Sequence, residues 1–455
     1  MNKNFLLKCD KAKSLYDIAK ELPIIDYHNH LSLTDIAENK RYYNIYDLWI
    51  KPDPYKHRAM RMCGVEEQYI TGNKSEKEKF VKWCESFPKL IGNPLYHWSL
   101  MELSMIFGIE DIPNESNAVM IYDSCNDFMQ RNEISVRTLL KKFNVEYFCP
   151  CSSLVDDISI FNNDEHMTPS LRGDDIVAIT NDFIEKLCTV LGKEIKNLHD
   201  FKNAVIKRLV DFKKCGCAFT DHALDNGFEY YEDDSKNDIR FEKLLSGEIK
   251  EIDKKKLYSH ILTFLGTTYS SLGFTMQLHI GAQRYTSERL RNEVGPAGGF
   301  AAIGNSVNIS SLTNYLNELE KSEHGIPKII LFTLNPADNA IISVLSGSYS
   351  KDNVSGLITQ GPAWWWCDHK SGILDVLENT AAFGLLSNFV GMTTDSRSFL
   401  SFVRHEYFRR ILCNWLAEKV DNDDYIYADE EMKKLICRLC YGNAKSIMGG
   451  FKNEL

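Results

Sequence analysis

The stretch DYHNH, residues 26–30, decides the fold prediction. It follows the apolar segment LPII, residues 22–25, which is typical of a short buried strand. Because side chains alternate along a strand, we expect His28 and His30 to lie on one face. Two imidazoles at the C-terminal end of a barrel strand would converge on one divalent cation. The alternative is that both are polar residues at a strand exit that cap the next helix.

Composition narrows the class of protein. The chain has 455 residues, of which 44% are hydrophobic and 25% charged, as expected for a globular protein with a large core. Its net charge of -10 argues against nucleic-acid binding, which needs basic surfaces. No segment approaches the ~20 consecutive apolar residues of a membrane-spanning helix. We therefore expect a globular protein that neither binds nucleic acid nor spans a membrane.

The cysteines indicate a reducing compartment. There are 13 of them, an odd number, and the N-terminus lacks the apolar core of a signal peptide. We expect a cytoplasmic protein. Three close pairs lack a second pair at zinc-ribbon spacing, and we interpret their members as buried structural thiols. The pairs are Cys149/Cys151, Cys215/Cys217 and Cys437/Cys440.

The pattern of the remaining chain predicts a barrel. Residues 31–145 are helical and poor in strands, which indicates an insertion after the first strand. Beyond them, short β-rich segments alternate with long amphipathic helices, a pattern typical of parallel strands joined by right-handed crossovers. The further strands are predicted at 146–150, 166–171, 217–221, 275–280, 328–334, 357–363 and 389–394. We predict an α/β fold, a distorted (β/α)8 TIM-like barrel with a helical insertion after strand 1, in a single domain over residues 1–455.

Polar residues cluster where these strands end. In a (β/α)8 barrel, the C-terminal ends of the strands carry the active site. The residues are His28 and His30 after strand one, Arg172 after strand three, Asp221 after strand four, His279 after strand five, and Asp395 and Arg397 after strand eight. Three imidazoles and a carboxylate predict a mononuclear site for a divalent cation, with zinc as the candidate.

Each candidate also has a structural interpretation. Asp395 precedes a helix and could be an N-cap, whereas Arg172 could be a surface residue of a loop. His279 could be a hydrogen-bonded core histidine. Trp365, the centre of a triple tryptophan, could form the floor of a sugar pocket or pack in the core. The segment 404–410 predicts a solvated or ion-paired helix face.

At these residues the chain resembles the uronate isomerases of the amidohydrolase superfamily. The resemblance covers nearly the whole chain. It is carried by residues 26–32 (DYHNHLS), 35–39 (DIAEN), 92–98 (GNPLYHW), 276–282 (MQLHIGA), 389–400 (FVGMTTDSRSFL) and 404–410 (RHEYFRR). It implies an aldose–ketose isomerase that interconverts D-glucuronate with D-fructuronate, and D-galacturonate with D-tagaturonate, through an enediol in a metal-binding barrel.

The resemblance also implies roles for individual residues. Metal ligation falls to His28, His30 and Asp395, with His279 among or next to these ligands, and catalysis falls to Tyr55, Asp221 and Arg397. Arg172 and His279 are assigned to substrate binding, and Trp365 is added to them because an aromatic face suits a sugar ring. Arg172 matches an arginine for the substrate carboxylate, and the proton acceptor is either Tyr55 or Asp221. The expected cofactor is a divalent metal, Zn²⁺, the partner is a sugar acid, and a homo-oligomer is possible.

The chain departs from the family pattern in predicted loops. Pro54 stands in place of a histidine, Ala337 in place of an arginine, and residues 151–154 and 283–287 replace two polar runs. Substrate contacts often lie in such loops, so two other functions stay open. One is a metal-dependent hydrolase of the same superfamily, although Asp221 stands where a bridging lysine of a binuclear hydrolase would be. The other is a re-purposed protein that binds a sugar acid.

Overall fold

A curled parallel sheet forms the centre of the structure. The computed structural model describes residues 3–426 and 428–448, so the two ends of the predicted 1–455 domain lie outside the described residues. The sheet has seven strands in the order β1-β2-β3-β4-β5-β8-β9, and β6 and β7 form a separate antiparallel pair. The strands are β1 Ile24–Asn29, β2 Val145–Ser153, β3 Ser170–Arg172, β4 Phe219–Leu224, β5 Thr275–Ile280, β6 Ala282–Gln283, β7 Ala302–Ile303, β8 Lys328–Thr333 and β9 Ile358–Gln360. The predicted α/β class with a parallel sheet is confirmed.

Contacts across the sheet show how strongly it curls. Three strands separate β1 from β5, which in a flat sheet would place them roughly 19 Å apart. The rings of His28 on β1 and His279 on β5 nevertheless have centroids 4.7 Å apart. Tyr27 on β1 likewise stacks on Phe219 of β4, with centroids 5.4 Å apart. The C-terminal ends of the strands therefore face one common space.

Helices of three groups surround the sheet. α1 precedes β1, and seven helices with no described strand among them follow it before β2. These are α1 Asp10–Ala19, α2 Leu33–Ala37, α3 Ile45–Trp49, α4 Pro54–Met62, α5 Glu76–Ser86, α6 Pro94–Glu102, α7 Ala118–Arg131 and α8 Val136–Lys142. Between β3 and β9 lie α9 Asp174–Ala178, α10 Asn181–Leu191, α11 Leu198–Lys214, α12 Asn237–Leu245, α13 Glu251–Leu272, α14 Glu288–Val294, α15 Ile309–Glu320 and α16 Asn339–Ser346. After β9 come α17 Lys370–Phe383, α18 Val403–Asp421, α19 Asp429–Cys437 and α20 Asn443–Ile447.

Local signals explain many helix boundaries. Ser75 and Glu78 form a reciprocal capping box at the start of α5. The Thr180 hydroxyl accepts the Phe183 amide at the start of α10. That helix ends at Gly192, whose φ of 62° lies in the left-handed region. None of the described helices is both long and apolar enough to cross a bilayer.

The buried apolar residues form separate clusters on the different faces of the sheet. Helices α2–α8 share one apolar cluster with α1, α17 and α18, built around buried aromatic residues such as Trp49, Phe80 and Trp83. Helices α9–α13, α15 and α16 cover the outer face of the sheet. The inner face is filled by side chains such as Tyr27 and Phe219, with the polar residues of β1, β4 and β5 beyond them.

The predicted eighth strand, residues 389–394, is not a strand. Gly391 has a φ of 83° and Asp395 one of 45°, and these left-handed positions interrupt an extended backbone. The segment still lies beside β1. The Asp395 amide donates to the His28 carbonyl at 3.1 Å, and the His30 amide donates to the Ser396 carbonyl at 2.9 Å. The position predicted for strand eight is therefore occupied by irregular chain.

Candidate active site

The buried side chain of Asp26, on β1, forms hydrogen bonds with Thr393 and Thr394, near the other end of the chain. Asp26 on β1 is fully buried, and its carboxylate accepts the Thr394 amide at 2.7 Å and the Thr394 hydroxyl at 2.8 Å. The Thr393 hydroxyl donates to the same carboxylate at 2.9 Å. His405 approaches it with Nε2 at 3.2 Å. These bonds hold residues 393–395 against β1 and explain why this segment forms no regular strand.

Asp395 consequently faces both histidines of β1. Its Oδ1 lies 3.2 Å from His28 Nε2 and 3.1 Å from His30 Nε2. The indole of Trp364 donates to the other oxygen, Oδ2, at 2.7 Å. Burial opposes the charge on Asp395, but the two imidazoles outweigh it and hold the pKa of this carboxyl well below its usual range. The structure thus brings these three residues together, as the sequence predicted.

His279 and Asp221 border the same group. His279 Nδ1 lies 3.9 Å from Asp221 Oδ2, and the His279 ring stacks on Phe332 with centroids 4.6 Å apart. His279 Nε2 and Asp221 Oδ1 are buried and have no hydrogen-bond partner in the described part of the chain. Unpaired buried polar atoms are costly, so their presence here fits a site that receives a ligand. A donor set of imidazoles and carboxylates suits a divalent cation of the zinc type.

The buried carboxyl of Asp221 is suited to proton exchange. Burial and the neighbouring Cys151 raise its pKa to about 7, although His28 acts in the opposite direction. Burial and the charge of His28 lower the pKa of His279 well below the usual value for histidine. Two titratable groups that lie side by side are therefore shifted in opposite directions, a pattern typical of active sites.

Cys151, at the end of β2, is a site residue that sequence reasoning missed. Its Sγ lies 3.5 Å from His28 Nδ1. The sulfur also belongs to a group with His28 and His30 whose potential ligand atoms lie within 4.8 Å of one another. Burial opposes ionisation of this thiol, but the adjacent imidazoles outweigh it and lower its pKa to about 5. The interpretation of Cys151 as a structural thiol stays a prediction, but its place beside His28 was not predicted, because it depends on the contact between β1 and β2.

The remaining predicted residues line one cavity with these groups. The cavity has a volume of about 370 Å³. Arg172 lies on one wall, where its Nε and Nη2 approach Asp174 Oδ2 at 3.3 and 3.2 Å. The residues predicted from sequence that border the cavity are His28, His30, Tyr55, Arg172, Asp221, His279, Trp365, Asp395 and Arg397. The structure thus brings every predicted site residue together, while their individual roles stay predictions.

The ring of Tyr55 packs against the guanidinium of a buried arginine. The guanidinium of Arg404 lies 4.9 Å from the centre of the Tyr55 ring and 4.1 Å from that of Trp98. Its Nη1 donates to the Thr394 carbonyl at 3.0 Å. Of the predicted alternatives, a solvated or an ion-paired face, the ion-paired one holds for Arg404, which is only 2% exposed and whose Nη1 lies 3.6 Å from Asp368 Oδ2. Burial raises the pKa of Tyr55 well above 10, and Arg404 only partly offsets this rise.

Other cavity residues had weaker sequence signals. Asp174 follows Arg172 by two positions, and Arg284 follows the strand that carries His279, so both could have been found by extending the strand-end search. Arg284 Nε donates to both Asp225 oxygens, at 2.9 and 2.8 Å. The segment 296–301 also borders the cavity, held to α4 by Arg58, which donates to two of its carbonyls at 3.2 and 3.1 Å. No sequence pattern marks that segment.

Comparisons with known proteins agree on one family. A family model described as glucuronate isomerase matches residues 1–448. The uronate isomerase of Caldicellulosiruptor saccharolyticus is 40% identical over 99% of this chain and 99% of its own length. That of Clostridium perfringens is 39% identical over 98% of each chain.

Solved structures give the same result. The uronate isomerase from Thermotoga maritima superposes with a TM-score of 0.91 at 30% identity, covering 98% of this chain and 99% of the other. The glucuronate isomerase from Caulobacter crescentus also has a TM-score of 0.91, at 22% identity, over 100% of this chain and 98% of the other. At that lower identity the likeness concerns the fold alone.

Proposed function

Because this chain belongs to the uronate isomerase family, we propose that it interconverts D-glucuronate with D-fructuronate and D-galacturonate with D-tagaturonate. The observation that carries the proposal is that Asp395 Oδ1 lies within 3.2 Å of both His28 Nε2 and His30 Nε2, at the wall of a cavity that also holds acid–base groups. The reaction moves a carbonyl between C1 and C2 of the sugar. It requires a group that removes the C2 proton, a group that returns a proton to C1, and stabilisation of the enediol between these steps.

His28, His30 and Asp395 would hold a divalent cation, which we propose to be Zn²⁺. When bound, such an ion supplies Lewis acidity toward the sugar oxygens. The unpaired Nε2 of His279 is next to this position and would hydrogen-bond a substrate hydroxyl. The indole of Trp364 fixes the orientation of the Asp395 carboxylate through its second oxygen.

Asp221 is our candidate for the group that removes the C2 proton. Its pKa of about 7 gives it both the carboxylate and the acid form near neutral pH. It can therefore accept a proton at C2 and return it at C1. Tyr55, whose pKa is raised by burial, keeps its proton and would donate a hydrogen bond through its hydroxyl.

Arginines would bind the charged parts of the substrate. Arg172 is held in orientation by Asp174 and would pair with the uronate carboxylate. Arg397 is exposed at the mouth of the cavity and would stabilise negative charge on the enediol oxygens. Trp365, stacked on Trp366 with centroids 5.0 Å apart, offers an aromatic face for the sugar ring.

A direct assay tests the proposed reaction. Purified protein is incubated with D-glucuronate or D-galacturonate, and the ketose product is measured. We expect ketose from the wild type and a loss of at least ~100-fold in kcat for Asp221→Asn, since a positioned acid–base group contributes about 10² to 10⁴. Hydrolysis of an amide or lactone with no ketose would support the hydrolase instead. Tight binding of a uronate without turnover would support a binding protein.

We further propose that residues 389–396 take the place of an eighth strand in a distorted (β/α)8 barrel. The two backbone hydrogen bonds to β1 support this arrangement.

Thirteen cysteines without a disulfide in the structure support a cytoplasmic location, which cell fractionation tests. The oligomeric state stays a prediction, and light scattering of the purified protein measures it.

A further inference from the structure

We propose that Cys151 is a positioning residue for the metal site: its sulfur accepts the Nδ1–H of His28 and so leaves Nε2 of that ring for the cation. The inference rests on the proposed metal site. It concerns a residue outside the predicted ligand set, in the segment 151–154 where this chain departs from the family pattern.

The argument begins with the two edges of the His28 ring. His28 Nε2 lies 3.2 Å from Asp395 Oδ1, whereas His28 Nδ1 lies 3.5 Å from Cys151 Sγ. One ion can bind only one of these nitrogens. His30 also directs Nε2 to Asp395 Oδ1, at 3.1 Å, so on the Nε2 edge of His28 one carboxylate oxygen faces both imidazoles. The sulfur is therefore on the edge that the ion does not use.

The contact selects a tautomer. A neutral imidazole carries one N–H and one lone pair, and the partner of one nitrogen decides which form is present. With an acceptor at Nδ1, the proton stays there and the lone pair at Nε2 is free to bind the ion. His28 is only 2% exposed, so bulk water does not take over this function. The main chain is already fixed, since the His28 amide donates to the Thr393 hydroxyl at 3.0 Å.

A second observation indicates that this cluster is built for a ligand. His279 is 3% exposed and Asp221 is 5% exposed. Neither His279 Nε2 nor Asp221 Oδ1 has a hydrogen-bond partner among the described residues. One ligand atom from each of His28, Asp221 and His279 lies within 4.8 Å of the others. Cys151 thus borders a group of buried polar atoms that a bound ion and its ligands would satisfy.

Cobalt binding tests the proposal. Wild type, Cys151→Ala and Cys151→Ser are freed of metal and titrated with Co²⁺ against a competing chelator. We expect Cys151→Ala to bind Co²⁺ about 10- to 100-fold more weakly, as is usual when the partner of a metal-bound histidine is lost. Cys151→Ser should stay within a few-fold of wild type, because a hydroxyl also accepts the Nδ1–H. Cys188→Ala, on the distant helix α10, is the matched control and should bind like wild type.

The spectrum of the cobalt protein separates positioning from ligation. A sulfur-to-cobalt charge-transfer band in the wild type that is absent from Cys151→Ser would make Cys151 a ligand and overturn the proposal. Equal Co²⁺ affinity of wild type and a folded Cys151→Ala would overturn it as well, while the metal site itself would stand. Absence of Co²⁺ binding in the wild type would instead refute the proposed metal site and the inference with it.

Discussion

Asp395 combines an unusual backbone with the central contacts of the site. Its φ of 45° is in the left-handed region, which asparagine adopts as readily as aspartate. Asp395→Asn therefore changes the charge and one oxygen but not the backbone preference. We expect this variant to lose its bound divalent metal, because the amide nitrogen cannot replace a carboxylate oxygen as ligand. Elemental analysis of the purified protein measures the loss.

The matched control is Asp423→Asn. Asp423 also has a left-handed φ, of 60°, and it is exposed on the surface. It should keep the metal content of the wild type. Full metal content in a folded Asp395→Asn variant would exclude Asp395 from the ligand set.

Arg172 should distinguish charged from neutral substrates. Arg172→Met removes the guanidinium that would pair with the uronate carboxylate, while the apolar part of the side chain is kept. A hydrogen bond to a charged group contributes about 1.5 to 3 kcal/mol, so we expect KM for D-glucuronate to rise about 10- to 100-fold. Steady-state kinetics measure the change. Arg131 on α7 is exposed, so Arg131→Met should leave KM unaltered. If Arg172→Met weakened inhibition by a neutral sugar as much as inhibition by a uronate, Arg172 would not be the residue that binds the carboxylate.

His222 should make the stability of the protein depend on pH. It is fully buried beside Tyr269, and burial lowers its pKa to about 4 from an ordinary value of 6.5. Because the folded pKa is below the unfolded one, this stabilisation is complete above pH 6.5 and is lost as the pH falls toward 4. The loss amounts to about 3 kcal/mol in the free energy of unfolding.

Urea unfolding of metal-free protein at several pH values measures this effect. His222→Asn cannot titrate and should lose less stability between pH 7 and 4 than the wild type. The exposed His199→Asn should follow the wild type. Parallel curves for wild type and His222→Asn would show that His222 does not titrate in this range.

At the scale of elements, the Asp26 carboxylate holds residues 393 and 394 beside β1. It accepts hydrogen bonds from Thr393 and Thr394 in the buried interior. Asp26→Asn turns one acceptor into a donor that faces other donors. We expect the free energy of unfolding to fall by about 3 kcal/mol, and metal binding to weaken because Asp395 is held by the same segment. Chemical unfolding measures the first effect and metal titration the second.

An exposed acid provides the control for that variant. Asp352→Asn lies on the surface and should change neither quantity. Unchanged stability of Asp26→Asn would mean that the Thr393–Thr394 segment is held to β1 by its backbone hydrogen bonds alone.

The sequence predicted the regular elements better than the irregular ones. The strand at 275–280 matches β5 to the residue, since Gly273 and Gly281 mark the two ends of this short run. The strand predicted at 217–221 lies two residues early, because β4 continues through the polar Asp221 and His222. The segment 389–394 has the apolar composition of a strand, yet its conformation depends on Asp26, more than 360 residues away. No local pattern carries that information.

At the scale of the whole molecule, the parallel strands of one curled sheet made the site predictable. Once parallel strands were inferred, polar residues at their ends were expected to meet, and the nine predicted residues do line one cavity. The neighbours of Cys151 and Arg404 were not predicted, because thiols and arginines have common structural roles. Only the tertiary structure places His28 beside the thiol and the Tyr55 ring beside the guanidinium.

We propose that the helices of residues 31–145 and the sheet form one cooperative unit. The apolar cluster that contains Phe80 of α5 also contains Phe148 of β2 and Leu412 of α18, so no boundary of the core follows the boundary of the insertion. Phe80→Ala should therefore shift a single unfolding transition of the entire protein. The expected loss is about 3 to 5 kcal/mol, because the residue is fully buried. Far-UV circular dichroism and tryptophan fluorescence should report the same midpoint.

Phe201→Ala on α11 is the matched variant from the other side of the sheet. Phe201 is also fully buried, but it belongs to the cluster that covers the outer face. In a single cooperative unit both variants lower the same transition, and both probes follow it together. If the insertion were a separate domain, Phe80→Ala would create an early transition of the helices alone, while Phe201→Ala would lower the transition of the sheet and its metal site. Such a split would replace the single domain with two, and the cavity would then lie at their junction, since Tyr55 comes from the insertion and Asp221 from β4.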